Sequence, residues 1–257
     1  MDVPGIPRPV LLALIALAVL LLAAGGSWAL AWATHQTDTE SRTIPAARTV
    51  EIEGQSGDIR VIGTDRSDIL LTTKKQHSLF GRPHGSVSFS DGRLHLDGSC
   101  PDFQLWGNDA GCSIGYTLEV PRDTAVHLVT HSGDVSAEGI TGDADLETHS
   151  GDVDATGISG ALRLQSRSGD VDADSTSTDI AASTRSGDVD VRARNAMRVL
   201  AQTRSGDVDV SVPDRTYAVQ ATTSSGDRTV DVSTDRRSPR TIVAATSSGD
   251  VHVSRDG

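Results

Sequence analysis

Serine, histidine and aspartate, the residue types of a hydrolytic triad, recur together in the second half of this chain. They stand side by side in His131-Ser132-Gly133-Asp134 and again in His149-Ser150-Gly151-Asp152. Such a set could activate a serine for acyl transfer if the three side chains converged on one point. Because His131 and His149 hold equivalent positions of a repeat, we expect them to stack on each other and not to meet a nucleophile.

Carboxylates offer two further chemistries, glycosidic cleavage by a carboxylate pair and calcium binding by acidic columns. The nine-residue Gly/Asp pattern of calcium-binding β-rolls is absent, as are a phosphate loop, a zinc motif and a Gly-x-Ser-x-Gly elbow. We expect Arg167, Arg185 and Arg204, which stand beside the turns, to neutralise part of the acidic charge. The prediction is no enzyme, no cofactor and no metal, with calcium left as a testable alternative. The two acidic columns are Asp134, Asp152, Asp170, Asp188 and Asp207, and Asp154, Asp172, Asp190 and Asp209.

The tripeptide Ser-Gly-Asp repeats in phase, at first every 18 residues. Glycine permits positive φ at a corner, and Asp and Ser side chains can hydrogen-bond nearby backbone N–H groups. We therefore interpret the tripeptide as a structural turn and not as a ligand site. The predicted turn ladder consists of Gly133, Asp134, Gly151, Asp152, Gly169, Asp170, Gly187, Asp188, Gly206, Asp207, Gly226, Asp227, Gly249 and Asp250.

Apolar and polar residues alternate on both sides of each turn, as in Leu162 and Leu164 before it and Val171 and Ala173 after it. This period of two is typical of strands with one buried face. Each unit then forms two short strands and two turns, which is one rung. A single rung cannot bury its apolar face, so rungs must stack. The pattern predicts an all-β, single-chain β-solenoid (β-helix).

The segment 48–122 carries less regular strand patterns and predicts an irregular N-terminal β cap, which would cover the otherwise unpaired end of the solenoid. Cys100 and Cys112 lie close together within it. In an exported protein an even, close pair predicts a disulfide. Closing a loop of this size contributes roughly 3 kcal/mol.

Residues 10–33 are uncharged and mostly apolar, and as a helix would be about 36 Å long, enough to cross a bilayer. Arg8 precedes this stretch and no Lys or Arg follows before Arg42. The positive-inside rule then predicts a single-pass cell-membrane protein with a cytoplasmic N-terminus and an extracytoplasmic C-terminal domain. A cleaved signal peptide is the alternative, because 31–33 has the small-x-small form of a cleavage site. The predicted organisation is a cytoplasmic N-terminus at 1–9, a transmembrane anchor at 10–33, a juxtamembrane linker at 34–47, the cap with its disulfide loop at 48–122 and regular rungs at 123–257.

The net charge of −12 argues against nucleic acid as a partner, because binding phosphate requires a basic surface. It suits solubility or a cationic partner. The last repeat begins at Ser248 and is followed by no capping element in this sequence. Its open edge predicts possible self-association through the C-terminal edge.

The rungs resemble a bacterial β-strand-repeat family of adhesin-like, membrane-anchored proteins of unknown function. The residues that carry the resemblance are the serial Ser-Gly-Asp-Val units, the segment 50–59 and the segment 118–121. The resemblance implies a right-handed single-chain β-helix at the cell envelope and no active-site residues. We expect a non-catalytic surface or scaffold module that binds an envelope protein or glycan. The alternatives are a self-assembling envelope element and a glycan-active β-helix enzyme.

Overall fold

The computed structural model describes residues 36–77, 83–100 and 112–256. Within these ranges the chain forms 22 strands in two 11-stranded sheets and no helix, so the predicted all-β fold is confirmed. The strands are β1 (Gln36–Pro45), β2 (Thr49–Ser56), β3 (Ile59–Thr64), β4 (Asp68–His77), β5 (His84–Ser90), β6 (Arg93–Ser99), β7 (Ser113–Pro121), β8 (Ala125–Ser132), β9 (Val135–Glu138), β10 (Ala144–Ser150), β11 (Val153–Ile158), β12 (Leu162–Ser168), β13 (Val171–Ser175), β14 (Asp179–Ser183), β15 (Val189–Ala193), β16 (Arg198–Gln202), β17 (Val208–Val212), β18 (Thr216–Thr222), β19 (Arg228–Val230), β20 (Ser233–Thr234), β21 (Thr241–Ala245) and β22 (Val251–Arg255).

Each Ser-Gly-Asp turn connects the two sheets. The strand before a turn lies in one sheet, here called the pre-turn sheet, and the strand after it lies in the other, the post-turn sheet. For example, β10 in the pre-turn sheet is followed by β11 in the post-turn sheet. Such a pair of strands is one rung, and neighbouring rungs pair in parallel, about 4.8 Å apart. The domain is therefore solenoid-like.

The core is continuous because the rungs stack in phase. Val153, Val171 and Val189 are register partners in the post-turn sheet, as are Leu146 and Leu164 in the pre-turn sheet. All five side chains are fully or almost fully buried. Small aliphatic residues dominate these positions, so the two sheets enclose a thin core that runs along the whole stack.

At both ends, the order of the rungs in space departs from their order in the chain. The rung of β2 and β3 pairs with β8 and β9 on one side and with β6 and β7 on the other. In the same way, β21 and β22 lie between the rung of β16 and β17 and the rung of β18 and β19. The first and last Ser-Gly-Asp copies are therefore both inside the stack.

Antiparallel strands extend the sheets beyond the rung of β6 and β7. β5 pairs with β6, β4 with β7, and β1 with β4. The linker predicted at 34–47 is therefore wrong for Gln36–Pro45, which form β1. The side chains of residues 37–43 are exposed and Ile44 is the buried apolar residue of this strand. β1 thus lacks the apolar alternation by which a half-buried strand is predicted.

The opposite end of the stack is formed by β18, β19 and β20. β22 pairs with β17 on one side and β19 on the other. Among the described strands, the edge at this end consequently lies at β19 in the post-turn sheet and at β20 in the pre-turn sheet, and not at the C-terminal strand, where the sequence predicted it. Arg228 and Thr229 of β19 are exposed. Self-association through an open edge stays a prediction.

Three predicted features fall outside the described residues. The anchor at 10–33 and the disulfide loop at 101–111 both lie there, as does the cytoplasmic segment at 1–9. In the part of the chain that the structure describes, no helix is long and apolar enough to span a membrane.

Candidate functional site

The Ser-Gly-Asp corners place a glycine where no other residue fits. The seven glycines of the predicted turn ladder have φ values between 128° and 145°, a region that favours glycine. A Cβ built on Gly169 would also collide with the carbonyl oxygen of Gly151 in the neighbouring rung. Backbone packing between rungs therefore accounts for this glycine.

The aspartates of the corners form a ladder of hydrogen bonds. Each carboxylate except that of Asp227, in the end rung, accepts the backbone N–H of the corner Asp in the next rung, as Asp152 does from Asp170 at 2.8 Å. The distances in the ladder lie between 2.7 and 3.1 Å. Hydrogen bonds with one charged partner are stronger than neutral ones. These bonds offset part of the repulsion between the stacked carboxylates.

A hydroxyl two residues before each corner Ser completes the hydrogen bonding. The Thr184 hydroxyl donates to the Gly169 carbonyl at 3.0 Å, and Thr148 and Ser166 do the same to Gly133 and Gly151. These hydroxyl residues are buried. Each therefore satisfies a backbone carbonyl that would otherwise be unpaired, which is costly in a protein interior. The corner residues are occupied by structural contacts.

A second acidic column lies on the outer face of the post-turn sheet. Asp154, Asp172, Asp190 and Asp209 are successive register partners. Partial burial, followed by the charges of the neighbouring aspartates, raises the pKa of Asp172 and of Asp154. Within the described ranges, no group of three or more His, Cys, Asp or Glu residues is arranged to hold a metal ion.

A basic column lies on the outer face of the pre-turn sheet, directly before five of the corners. It is built from His131, His149, Arg167, Arg185 and Arg204. The two imidazole rings stack with their centroids 4.5 Å apart, as expected from their equivalent positions. Loss of solvent, and then Arg167, His131 and Arg185, lower the pKa of His149, whereas Glu147 raises it.

The three arginines of the basic column are exposed. In the described part of the chain none of their guanidinium groups makes an ion pair. The expectation that they neutralise the corner aspartates is therefore wrong at the level of contacts. The arginines project from the outer face of the pre-turn sheet, whereas the corner carboxylates bond to the backbone of the next rung.

A groove of about 540 Å³ runs beside the basic column across several rungs. A second column of polar residues lines it, formed by Glu147, Gln165, Ser183 and Gln202, which are register partners. In the sequence these residues form only the polar half of the strand alternation. Their periodic spacing beside the arginines was the signal that could have identified the groove.

The predicted disulfide partners lie at the end of β6 and just before β7. The Sγ atoms of Cys100 and Cys112 are 2.13 Å apart and their Cα atoms 5.9 Å. The Cys100 backbone N–H also donates to the Gln55 side chain at 2.9 Å. The pair therefore joins the two strands of one rung where it borders the first Ser-Gly-Asp rung.

Comparison with known proteins gives a family but no activity. A family model described as Toastrack DUF4097 matches residues 113–255, more than half of the chain. No curated protein matches this chain.

Several solved structures are similar. A "putative cell adhesion protein" from Clostridium sporogenes is 11% identical with a TM-score of 0.41, covering 86% of this chain and 100% of the other. A "putative adhesin" from Bacteroides fragilis is 13% identical with a TM-score of 0.40, covering 86% and 97%. A "putative lipid binding protein" from Parabacteroides distasonis is 10% identical with a TM-score of 0.43, again covering 86% and 97%.

Proposed function

The chain belongs to the Toastrack DUF4097 family, and from this premise we propose that it is a non-catalytic cell-envelope module that displays a rigid β-solenoid outside the cytoplasm. The membership confirms the family resemblance drawn from the repeats. The solenoid acts as a scaffold, and its outer faces bind an envelope protein or glycan.

The non-catalytic part of the proposal is supported by one observation. The side chains that could do chemistry recur in columns of similar groups. His131 stacks on His149, and Asp172 lies between Asp154 and Asp190. An active site needs different groups that converge on one reacting atom. Columns of identical groups suit instead a surface that makes the same contact several times.

The envelope location rests on residues 10–33, whose apolar length fits a bilayer, and on the charge bias around them. A retained anchor and a cleaved signal peptide both export the solenoid. They differ in whether it remains on the membrane.

Cell fractionation of the full chain, tagged after residue 257, tests the location. We expect the protein in the membrane fraction, from which detergent but not carbonate releases it. We also expect protease to digest the solenoid when it is added to intact cells from which the cell wall and any outer membrane have been removed. A control variant carries L14R and L17R, which disrupt the apolar stretch and should abolish membrane recovery. Wild-type protein found in the cytosol would refute the proposal.

Chemical crosslinking in intact cells, followed by purification through the same tag, tests the scaffold role. We expect recovery of a discrete envelope protein or glycan. Recovery of cytosolic proteins alone, or turnover of a polysaccharide by the purified chain, would count against a non-catalytic envelope module.

A second candidate, self-assembly, is favoured by the open edge at β19. Among the described strands, β19 pairs with β22 alone, and open edges can pair with another chain. Light scattering of the detergent-solubilised chain at increasing concentration tests it. A mass that stays monomeric throughout would exclude assembly through this edge.

A further inference from the structure

Unpaired arginines are the least expected feature of a chain whose net charge is −12. Some other arginines of the regular rungs have carboxylate partners, whereas Arg163 has none among the described residues. Arg194 bonds to Asp174 at 2.6 and 2.7 Å, and Arg198 bonds to Asp179 at 3.0 Å. The three arginines of the basic column have no such partner in the described ranges.

The column places like charges close together. Arg167, Arg185 and Arg204 occupy equivalent positions in neighbouring rungs, which are about 4.8 Å apart. Positive charges at that distance repel each other by somewhat under about 1 kcal/mol in water. Of the described residues that line the groove, only Glu147 carries a carboxylate. The groove thus presents positive charge that a bound anion would neutralise.

The spacing of the charges limits the form of the anion. A ligand that contacts all three arginines must carry its negative groups in a line along the stack, with roughly one group per rung. Phosphates along one strand of duplex DNA repeat about every 3.4 Å, which does not match the rungs. Single-stranded nucleic acid binds through aromatic platforms, and no Phe, Tyr or Trp occurs among the described lining residues.

The second column identifies the neutral part of the ligand. Gln165, Ser183 and Gln202 run parallel to the arginines and line the same groove. Amides and hydroxyls donate and accept hydrogen bonds, so they complement a ligand with many hydroxyl groups. Alternating hydroxyl-bearing and anionic groups are the chemistry of an acidic sugar polymer.

We propose that the groove binds a linear acidic polysaccharide lying along the solenoid axis, with its carboxylates on the arginines and its ring hydroxyls on the Gln and Ser column. The proposal rests on the envelope role proposed above, because it specifies the ligand class of that scaffold. Exposed ion pairs are individually weak. Affinity therefore comes from several rungs acting together, and a monosaccharide binds poorly.

Binding of polygalacturonate to the full chain in detergent, measured by calorimetry, tests the proposal. The groove variant combines R167Q, R185Q and R204Q. The matched control combines R215Q, R236Q and R237Q, which removes the same charge from exposed arginines near the open end. We expect the groove variant to bind at least about tenfold more weakly, because contacts in a multivalent array multiply. The control should stay within about twofold of the wild type.

Three further ligands separate the possible outcomes. Fully methyl-esterified polygalacturonate keeps the sugar chain but lacks the charge, and we expect it not to bind. Polyphosphate carries charge without any sugar, and single-stranded DNA carries charge on a deoxyribose backbone that lacks free ring hydroxyls. We expect both to bind much more weakly. Equal affinity for all polyanions, or equal loss in both triple variants, would overturn the proposal, as would no binding to polygalacturonate.

The folding of each variant is checked by its thermal unfolding, which should show no loss of stability relative to the wild type, because the mutated side chains are exposed and removing stacked like charges costs no stability. The two proposals fail in different ways. A chain that is outside the cytoplasm but binds no acidic polysaccharide refutes the ligand class alone. A chain that binds the polymer and also shortens it refutes the non-catalytic role and leaves the groove in place.

Discussion

At the residue scale, the corner of each rung depends on side chains that bond to the backbone of the adjacent rung. The Thr184 hydroxyl donates to the Gly169 carbonyl, and the Asp170 carboxylate accepts the backbone N–H of Asp188. Their contribution should therefore be measurable one hydrogen bond at a time.

Replacing Thr184 with Val removes the hydroxyl that donates to the Gly169 carbonyl and nearly preserves shape. The buried carbonyl then loses a partner, and we expect the free energy of unfolding to fall by about 1–3 kcal/mol. Urea unfolding measures it. Ser183→Ala, on the outward neighbour, should change stability by no more than about 0.5 kcal/mol, and equal losses in the two variants would contradict the assignment.

The acidic column gives a pH-dependent prediction. Burial and neighbouring aspartates raise the pKa of Asp172. Above this raised pKa the ionised carboxylate therefore destabilises the folded state. The destabilisation decreases as the pH falls through the raised pKa, because the carboxylate becomes protonated. Asp172→Asn should therefore stabilise the protein at pH 7, by less than about 1 kcal/mol per neighbouring charge. The gain should vanish in acid. Thermal unfolding as a function of pH measures both.

Asp174→Asn is the opposite control. The hydrogen bonds from Arg194 lower the pKa of Asp174, so its stabilising effect is present above its ordinary pKa and is lost as the pH falls through the lowered value. This substitution should destabilise the protein at pH 7. If both variants shifted stability in the same direction, the electrostatic account of the column would be wrong.

At the element scale, the predicted disulfide between Cys100 and Cys112 would connect β6 to β7 across residues 101–111. Under oxidising conditions, the double substitution C100S and C112S should lower the free energy of unfolding by roughly 3 kcal/mol, since the unfolded chain is no longer constrained. Dithiothreitol should lower wild-type stability by a similar amount and leave the double variant unchanged. Free thiols titrated in the exported wild-type protein would show that the pair is reduced.

Because rung order in space differs from chain order, β18 and β19 find their hydrogen-bonding partners in strands that follow them in the chain. β19 pairs with β22, and β18 with β21 and β20. A chain that stops after Arg240 should therefore lose order over 216–234 as well. Limited trypsin digestion should then rapidly cleave the peptide bond after Arg228. In the full chain this bond should be protected. His252→Ala, an outward change in β22, is the control, and a protected Arg228 in the shortened chain would contradict the pairing.

The sequence was most informative where rungs are regular. The alternation at Leu162, Leu164 and Val171 predicts that these segments are strands and that these side chains face the core, because a period of two assigns each side chain to one face. It could not predict β1, whose side chains are mostly exposed. It also could not predict the rung order, because β2 offers the same apolar pattern to β6 as to β8. The unpaired arginines required side-chain contacts that no linear pattern encodes.

At the scale of the whole molecule, each rung contacts mainly its two neighbours, so stability should vary along the stack. Hydrogen exchange followed by mass spectrometry should find the strongest protection in the central strands β10 to β17. Weaker protection is expected at β1 and at β18 to β20, which lie at the two ends. Uniform protection throughout the chain would indicate a single all-or-none unit, contrary to this prediction.

The placement of β22 between two other strands also determines how the molecule would resist a mechanical load. A pull on Arg255 acts on a strand that is hydrogen-bonded on both sides, to β17 and to β19. An outermost strand could be peeled away along a single ladder, but β22 must break two ladders together. A load applied at Arg255 would therefore enter the stack at an interior rung, where two ladders resist it together.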